Sequence, residues 1–236
     1  MEKSITVIIS ALNEADHIQA AVEAARDVFG QMAASYELII FNDGSTDATG
    51  KIADQLAQQF CNIRVVHHEA NQGLAEIARA GIQMAKKNYI TWFPADNSIQ
   101  AKSLIPVLSK IGQHDLIIAY MKNNHQRRFL RKIISKTFAG SVNTLFNLKI
   151  RYYNGPSVYP TSVLKLMQIK SGGHAFFAEM LVRCLKMNHS FIEVPFEHTP
   201  ATDQRSKSLT IKNVLEVMRT FYVLGKDIYV FKQPLG

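Results

Sequence analysis

The sequence predicts an α/β fold built on a largely parallel sheet with helices on both faces. Three observations carry this expectation. Over residues 1–100, short β-branched apolar runs alternate with longer segments whose apolar residues recur at helical spacing. The links between them are short, which favours right-handed crossovers and parallel strands. At 236 residues and 47% apolar content, the chain can bury a sizeable core in one domain.

The elements follow in order. Ile5–Ser10 is a β-branched run suited to a buried strand, and Asn13–Phe29 places Ile18, Val22, Ala25 and Phe29 on one helical face. Glu37–Phe41 is the second strand, followed by a turn and a helix over Ala48–Phe60. Ile63–His67 is the third strand, and Asn71–Lys86 a helix with Leu74, Ile77, Ala78, Gly81 and Ala85 inward. Tyr89–Phe93 is the fourth strand. Beyond residue 100 the pattern loosens. Asp115–Tyr120 reads as a strand, Lys122–Leu148 as a basic amphipathic helix or helix pair, and Tyr152–Tyr159 and Ser190–Glu197 as extended. A helix over Ala175–Asn188 lies between the last two, and Ile211–Val230 reads as a final helix. No Pro/Gly/Ser linker separates the halves, so residues 1–236 are expected to form one domain. Residues 1–100 would be its ligand-binding half and 101–236 an elaboration.

Composition narrows the function classes. No stretch reaches the ~18 consecutive apolar residues that span a bilayer. The start, Met1–Ser10, lacks the basic region and long apolar core of a secretory signal, so the expected location is cytoplasmic. Cys61 and Cys184 lack paired metal or redox spacing and are expected to be buried thiols. The eight histidines show no spacing that supports a zinc site. The net charge of +8 is uneven: acids outnumber bases over residues 1–100, and bases outnumber acids over 101–236. A basic second half suits an anionic partner such as a phosphorylated substrate, anionic lipid or nucleic acid. No known nucleic-acid module is present, so nucleic acid is not the expected partner.

In parallel sheets ligands bind beyond the carboxyl ends of the strands. That places Ala11–Glu14, Asn42–Asp47 and Pro94–Asn97 on one rim. The turn Asn42-Asp43-Gly44-Ser45-Thr46-Asp47 brings a carboxylate to the end of a strand. Gly44 permits a sharp turn, and Asp47 or Ser45 can cap the next helix. A rim carboxylate can accept hydrogen bonds from a base N–H or a ribose hydroxyl. No glycine-rich dinucleotide or P-loop motif is present.

The run VIISALNEADHI, then FNDGSTDATG, then NQGLAEIARAGIQMAKKNYITWFPADN, closely resembles the family 2 glycosyltransferases of GT-A fold. The likeness extends to the polyprenyl-phosphate sugar transferases of the dolichol-phosphate mannose synthase type. It covers about residues 4–100 and resumes near Gly172–Leu209. The resemblance implies a Rossmann-like GT-A sheet with an acceptor-side elaboration, inverting sugar transfer and a UDP- or GDP-linked donor. Ala11, Asn13 and Glu14 would line the base and ribose, Asp43 would bind the base or ribose, and Gly73 and Arg79 would close over the donor.

Where such enzymes carry Asp-x-Asp to hold Mg²⁺ or Mn²⁺, this chain reads Pro94-Ala95-Asp96. Metal binding would then rest on Asp96, the diphosphate and water. Asn42 similarly stands where an Asp is usual. Arg205 and Lys207 match, in compressed form, a basic motif that would grip the diphosphate and offset leaving-group charge. Asp96 and Arg205 are thus the expected catalytic residues. Arg131 and Ser135 share a helix face and would meet an acceptor phosphate. Glu179 would position the acceptor or form a buried ion pair.

Two further readings remain open. Leu209–Val230 mixes aromatic and apolar residues with lysines, as an interfacial helix does, or as a helix packed on the core does. The acceptor could be a polyprenyl phosphate reached peripherally at the inner face of the plasma membrane. It could equally be a saccharide or small-molecule hydroxyl, and Pro94 with Asn42 also suits a non-catalytic nucleotide-sugar binder.

Overall fold

The computed structural model describes residues 3–122, 129–173, 175–199 and 224–226, with side chains from residue 132 onward in the second segment. Four parallel strands form most of the main sheet: β1 (Ser4–Ala11), β2 (Ser35–Asp43), β3 (Ile63–His68) and β4 (Tyr89–Pro94). Helices α1 (Ile18–Met32), α2 (Thr49–Gln59) and α3 (Leu74–Met84) are the crossovers. A 3₁₀ turn (Ala101–Leu104) and the short helix α4 (Ile105–Leu108) lead to β5 (Leu116–Met121). Then come α5 (Phe129–Phe146), β6 (Tyr159–Pro160), α6 (Thr161–Leu166), α7 (Ala175–Lys186) and β7 (Phe191–Phe196).

The strand order is β3-β2-β1-β4-β6, with β5 and β7 paired in parallel. The short reverse strand joins the two groups. Tyr159 pairs antiparallel with Ile90 of β4, and its neighbour Val158 exchanges both backbone hydrogen bonds with Ile117 of β5, at 3.1 and 2.8 Å. Both β4 and β5 oppose the same strand, so they point the same way.

Alternation along β1 decides the two layers. Ile5, Val7 and Ile9 face one side and pack with Ile18, Val22, Ala25 and Phe29 of α1. Ile8 faces the other side, with Ile77, Ala78 and Ile82 of α3 and Phe176 and Met180 of α7. All of these are buried, and each of the Ile and Val side chains contributes about 2 kcal/mol of transfer free energy. Gly81 lets α3 approach: a Cβ there would sit 2.7 Å from Ile8 Cδ1.

The structure moves several expected boundaries. The first helix starts at Ile18, five residues later than its periodicity suggests, because Asn13 adopts a left-handed φ of 56° and the chain turns before entering it. Only the end of Tyr152–Tyr159 is strand. The helix α6 and the turn at Ala101–Leu108 are too short to register as a 3.6-residue period. Cys61 is exposed, not buried, since it sits in the turn between α2 and β3; Cys184 is buried as expected. The final helix expected over Ile211–Val230 lies outside the described residues apart from Leu224–Lys226.

Candidate functional site

β1, β2 and β4 end together, with Ala11 paired to Asn42 and Ser10 paired to both Phe41 and Pro94. The turns leaving β1 and β2 are interlocked by side chains. Asn13 N–H donates to Ser45 Oγ at 3.0 Å, Glu14 N–H to Thr49 Oγ1 at 2.8 Å, and Ala15 N–H to Asp47 Oδ2 at 3.2 Å. In return Asn13 Oδ1 accepts Thr46 N–H at 2.9 Å. Three successive backbone donors are thus satisfied by one neighbouring turn. Asp47 also accepts the N–H and hydroxyl of Thr49 at 2.9 and 2.5 Å, and the hydroxyl bond leads the causes that hold its carboxyl below its ordinary value. Of the two residues expected to cap α2, Ser45 turns across to Asn13 and Asp47 takes the N–H of Thr49, the first helical residue, while the N-cap position itself is Ala48, whose side chain makes no cap bond.

The Asp43 side chain is only 4% exposed, and its carboxylate anchors the next loop. Oδ1 accepts Gln72 N–H at 2.9 Å and lies 2.6 Å from His68 Nδ1; Oδ2 accepts Gly73 N–H at 3.0 Å. Gly44, at φ 75°, lies directly under this loop: a Cβ would come within 2.7 Å of Ala70 C and Asn71 N. Asn42 Oδ1 accepts Ser45 N–H at 3.4 Å within the turn, while its Nδ2 lies 3.0 Å from His67 Nδ1, and His67 Nε2 is 2.9 Å from Asp54.

Glu14 and Asp96 sense one another across the rim. Burial pushes the Glu14 carboxyl up, the Asp96 charge pushes it further, and His17 at 3.2 Å opposes both. Asp96 Oδ1 accepts Ser98 N–H at 2.9 Å, and Asn97 completes the turn at φ 55°.

A divalent cation needs hard oxygen ligands, and Mg²⁺ is commonly held by one or two carboxylates plus substrate phosphates and water. Among the described residues no three His, Cys, Asp or Glu side chains converge on one point. Asp96 therefore suits a metal that arrives with a diphosphate, and among the described residues no set of protein ligands alone would hold one.

Of the expected site residues, Ala11, Asn13, Glu14, Asp43, Gly73 and Asp96 share this rim. Arg79 and Glu179 lie elsewhere, each bonded to the Ile169–Ser171 segment and not to one another. The Arg79 guanidinium donates to Ile169 O at 3.2 Å and to Ser171 O, and pairs with Glu76. Glu179 is buried; its carboxylate accepts Ser171 N–H at 2.8 Å and pairs with Arg183 at 2.7 Å. Ser135 is half-buried on α5. The backbone of Arg131 belongs to the same helix, while its side chain, with Arg205 and Lys207, lies outside the described residues. Sequence reasoning missed His68 and the partnership of Thr49 with Glu14; a histidine directly at a strand end beside an acidic turn was the available signal for the first.

Residues 6–165 match Glycosyl transferase family 2. The chain belongs to this family. Among curated relatives, dodecaprenyl-phosphate galacturonate synthase of Rhizobium johnstonii is 25% identical over 176 residues, covering 73% of this chain and 52% of the relative. Dolichyl-phosphate beta-glucosyltransferase of Dictyostelium discoideum is 26% identical over 254 residues, covering 94% of this chain and 75% of the relative. The chain spans about a third to a half of the length of the first curated relatives it matches. In structure it superposes on glucosyl-3-phosphoglycerate synthase from Mycobacterium tuberculosis with a TM-score of 0.70 at 13% identity, over 94% of this chain and 80% of that one. That enzyme was crystallised with Mn²⁺, UDP and glucosyl-3-phosphoglycerate. The family 2 chain thus has the GT-A fold. Among its described residues no helix is long and apolar enough to cross a membrane.

Proposed function

We propose that this family 2 chain transfers a sugar, with inversion, from a UDP- or GDP-linked donor to a phosphate-bearing acceptor of the polyprenyl-phosphate type. The observation that carries the reading is the rim on which Asn13, Glu14, Asp43, Gly73 and Asp96 converge at the carboxyl ends of β1, β2 and β4. Asp43 and the interlocked turns form a preorganised wall for the base and ribose, so little ordering entropy remains to be lost on binding.

Acceptor attack at the anomeric carbon expels a nucleoside diphosphate, whose charge must be offset. Mg²⁺ or Mn²⁺ bound through Asp96 and the diphosphate would supply part of that offset. Arg205 and Lys207 are the cations proposed for the remainder, and Arg131 and Ser135 for the acceptor phosphate. An acceptor phosphate is already anionic and needs no base to activate it. The same chemistry makes peripheral work at a membrane surface part of the proposal, with residues 1–236 acting as one glycosyltransferase domain.

Purified protein incubated with UDP- and GDP-sugars, polyprenyl phosphate and Mg²⁺ or Mn²⁺ tests this directly. Formation of a polyprenyl-phosphate sugar is the expected product. Transfer to saccharide hydroxyls alone would move the acceptor to the other class. Donor binding with neither transfer nor hydrolysis over a broad acceptor panel would make the chain a nucleotide-sugar binder.

A further inference from the structure

Arg79 and Glu179 approach the same stretch of backbone from opposite sides. Arg79, on α3, donates to the carbonyls of Ile169 and Ser171. Glu179, on α7, accepts the intervening donors: Lys170 N–H at 3.2 Å, Ser171 N–H at 2.8 Å and the Ser171 hydroxyl at 2.6 Å. One cation holds the carbonyls and one anion holds the amides, so the peptide units from 169 to 171 are gripped on both edges. Arg183 completes the anion's coordination, meeting Glu179 Oε1 through Nε and Nη2 at 2.8 and 2.7 Å. The Arg79 guanidinium also lies 5.4 Å from the Phe176 ring centroid, which seats it against the first turn of α7.

Stability alone is a poor explanation for this arrangement. The Glu179 and Arg183 side chains are 2% and 5% exposed, and desolvating such a pair offsets much of its Coulomb attraction. What the arrangement does supply is a fixed course for one segment.

The other end of α3 gives that course a connection to the rim. Gly73, its N-cap, is held by Asp43, as is Gln72 beside it. From the rim α3 runs back to Met84, whose carbonyl meets Arg64 near the starts of the strands. α7 runs the same way, since Ser190 after it bonds to Leu116 at the start of β5. Gly172 and Gly173 before α7 therefore lie toward the rim. The polar path is continuous: Asp43, Gly73, α3, Arg79, Ile169–Ser171, Glu179, α7.

We propose that Arg79 is a positioning residue that makes the Ile169–Gly173 segment follow the Asn71–Gly73 loop. A nucleotide seated on that loop then sets where Gly172 and Gly173 stand on the acceptor side. This last step rests on the nucleotide-sugar reading above; the mechanical link does not.

Amide hydrogen exchange on the full chain separates the two. R79Q is expected to speed exchange at residues 170–173 by about tenfold or more, the ratio that losing a charged hydrogen bond implies, with β1 and β4 unchanged. R79K, which keeps the charge, is expected to recover part of that protection. The deciding arm is D43N, whose side chain touches no residue from 169 to 173. It should loosen that segment when Arg79 is present and add nothing in R79Q. Unchanged exchange in D43N, or an equal D43N effect with and without Arg79, overturns the link. If D43N loses protection in β1 and β4 as well, H68Q serves as the second perturbation of the same anchor. UDP and GDP binding is measured in parallel by calorimetry. Nucleotide that binds and protects 170–173 in the wild type, but not in R79Q, supports the whole proposal. Nucleotide that binds without protecting the segment refutes its second step. No nucleotide binding refutes the functional reading and leaves the D43N and R79Q comparison to decide the link.

Discussion

The hydroxyl of Thr49 accepts the backbone N–H of Glu14 at 2.8 Å and donates to Asp47 at 2.5 Å, joining the two rim turns through one fully buried side chain. Replacing it with valine keeps the shape and removes both bonds. T49V is expected to cost about 1–3 kcal/mol, because the Glu14 N–H is left without a partner. Urea denaturation measures the loss. An effect below a few tenths of a kcal/mol would mean that water replaces the hydroxyl freely.

Gly44 carries two constraints at once. Its φ of 75° disfavours any side chain, at about 1–2 kcal/mol, and a Cβ would collide with the Ala70–Asn71 backbone. G44A should therefore push the Asn71–Gly73 loop off Asp43. The expected outcome is reduced stability and nucleotide affinity weakened by at least about tenfold, a 1.4 kcal/mol change readable by calorimetry. Wild-type affinity in a destabilised protein would separate the loop from binding.

Glu14 and Asp47 give opposite pH signatures. The folded-state carboxyl of Glu14 is raised above its ordinary 4.5, so its charge is disfavoured in the native state. The stability associated with its proton is full below the unfolded value and is lost as pH rises through the folded one. E14Q should accordingly raise Tm at neutral pH, with the difference from wild type vanishing in acid. Asp47 is lowered, so its contribution is present above its ordinary 3.8 and disappears as pH falls through the folded value. D47N should lower Tm at neutral pH and converge with wild type only in stronger acid. Parallel Tm curves for either variant across pH 2–8 (about the range where carboxylates titrate) would contradict the assignment.

Pro94 occupies the end of β4, two residues before Asp96. Placing a carboxylate there gives a bound cation a second charged oxygen ligand. P94D is expected to tighten Mn²⁺ binding in the presence of UDP by about tenfold, in line with the dependence of affinity on ligand charge. Titration followed by electron paramagnetic resonance reads free Mn²⁺ directly. An unchanged affinity would mean that residue 94 does not face the metal.

Much of residues 1–100 was legible in the sequence because local and tertiary preferences agree there. Ile5, Val7 and Ile9 alternate with Ile8 between the two layers, and the period-2 pattern with high β propensity assigns the strand without tertiary help. The rim motifs Asn13–Glu14 and Asn42–Asp47 could be placed by topology alone. What could not be read were contacts set by long-range geometry. Nothing local in Thr49 announces a bond to a residue 35 positions earlier. Arg79 looked like a residue for the donor, yet its guanidinium reaches carbonyls 90 and 92 positions away. The helix start was missed at Asn13 for the same reason: its periodicity continues, but its backbone N–H is taken by Ser45 and its side-chain oxygen accepts the N–H of Thr46. Glu179 was left between an acceptor role and a buried ion pair, and the structure supplies Arg183 as its ion-pair partner.

The short reverse strand β6 (Tyr159–Pro160) has a consequence for biosynthesis. Translation delivers β1 through β4 first, with the Tyr89–Ile90 edge of β4 unpaired until Tyr159 and Pro160 arrive to cover it. An uncovered edge invites pairing with another chain. Slowing synthesis or truncating the chain before residue 157 should therefore give material that associates through β4, whereas a single substitution in the rim should not. The same two-residue strand that looks like a minor connector is the closing step of the sheet. Until it docks, the nascent protein carries the risk of pairing with its own copies.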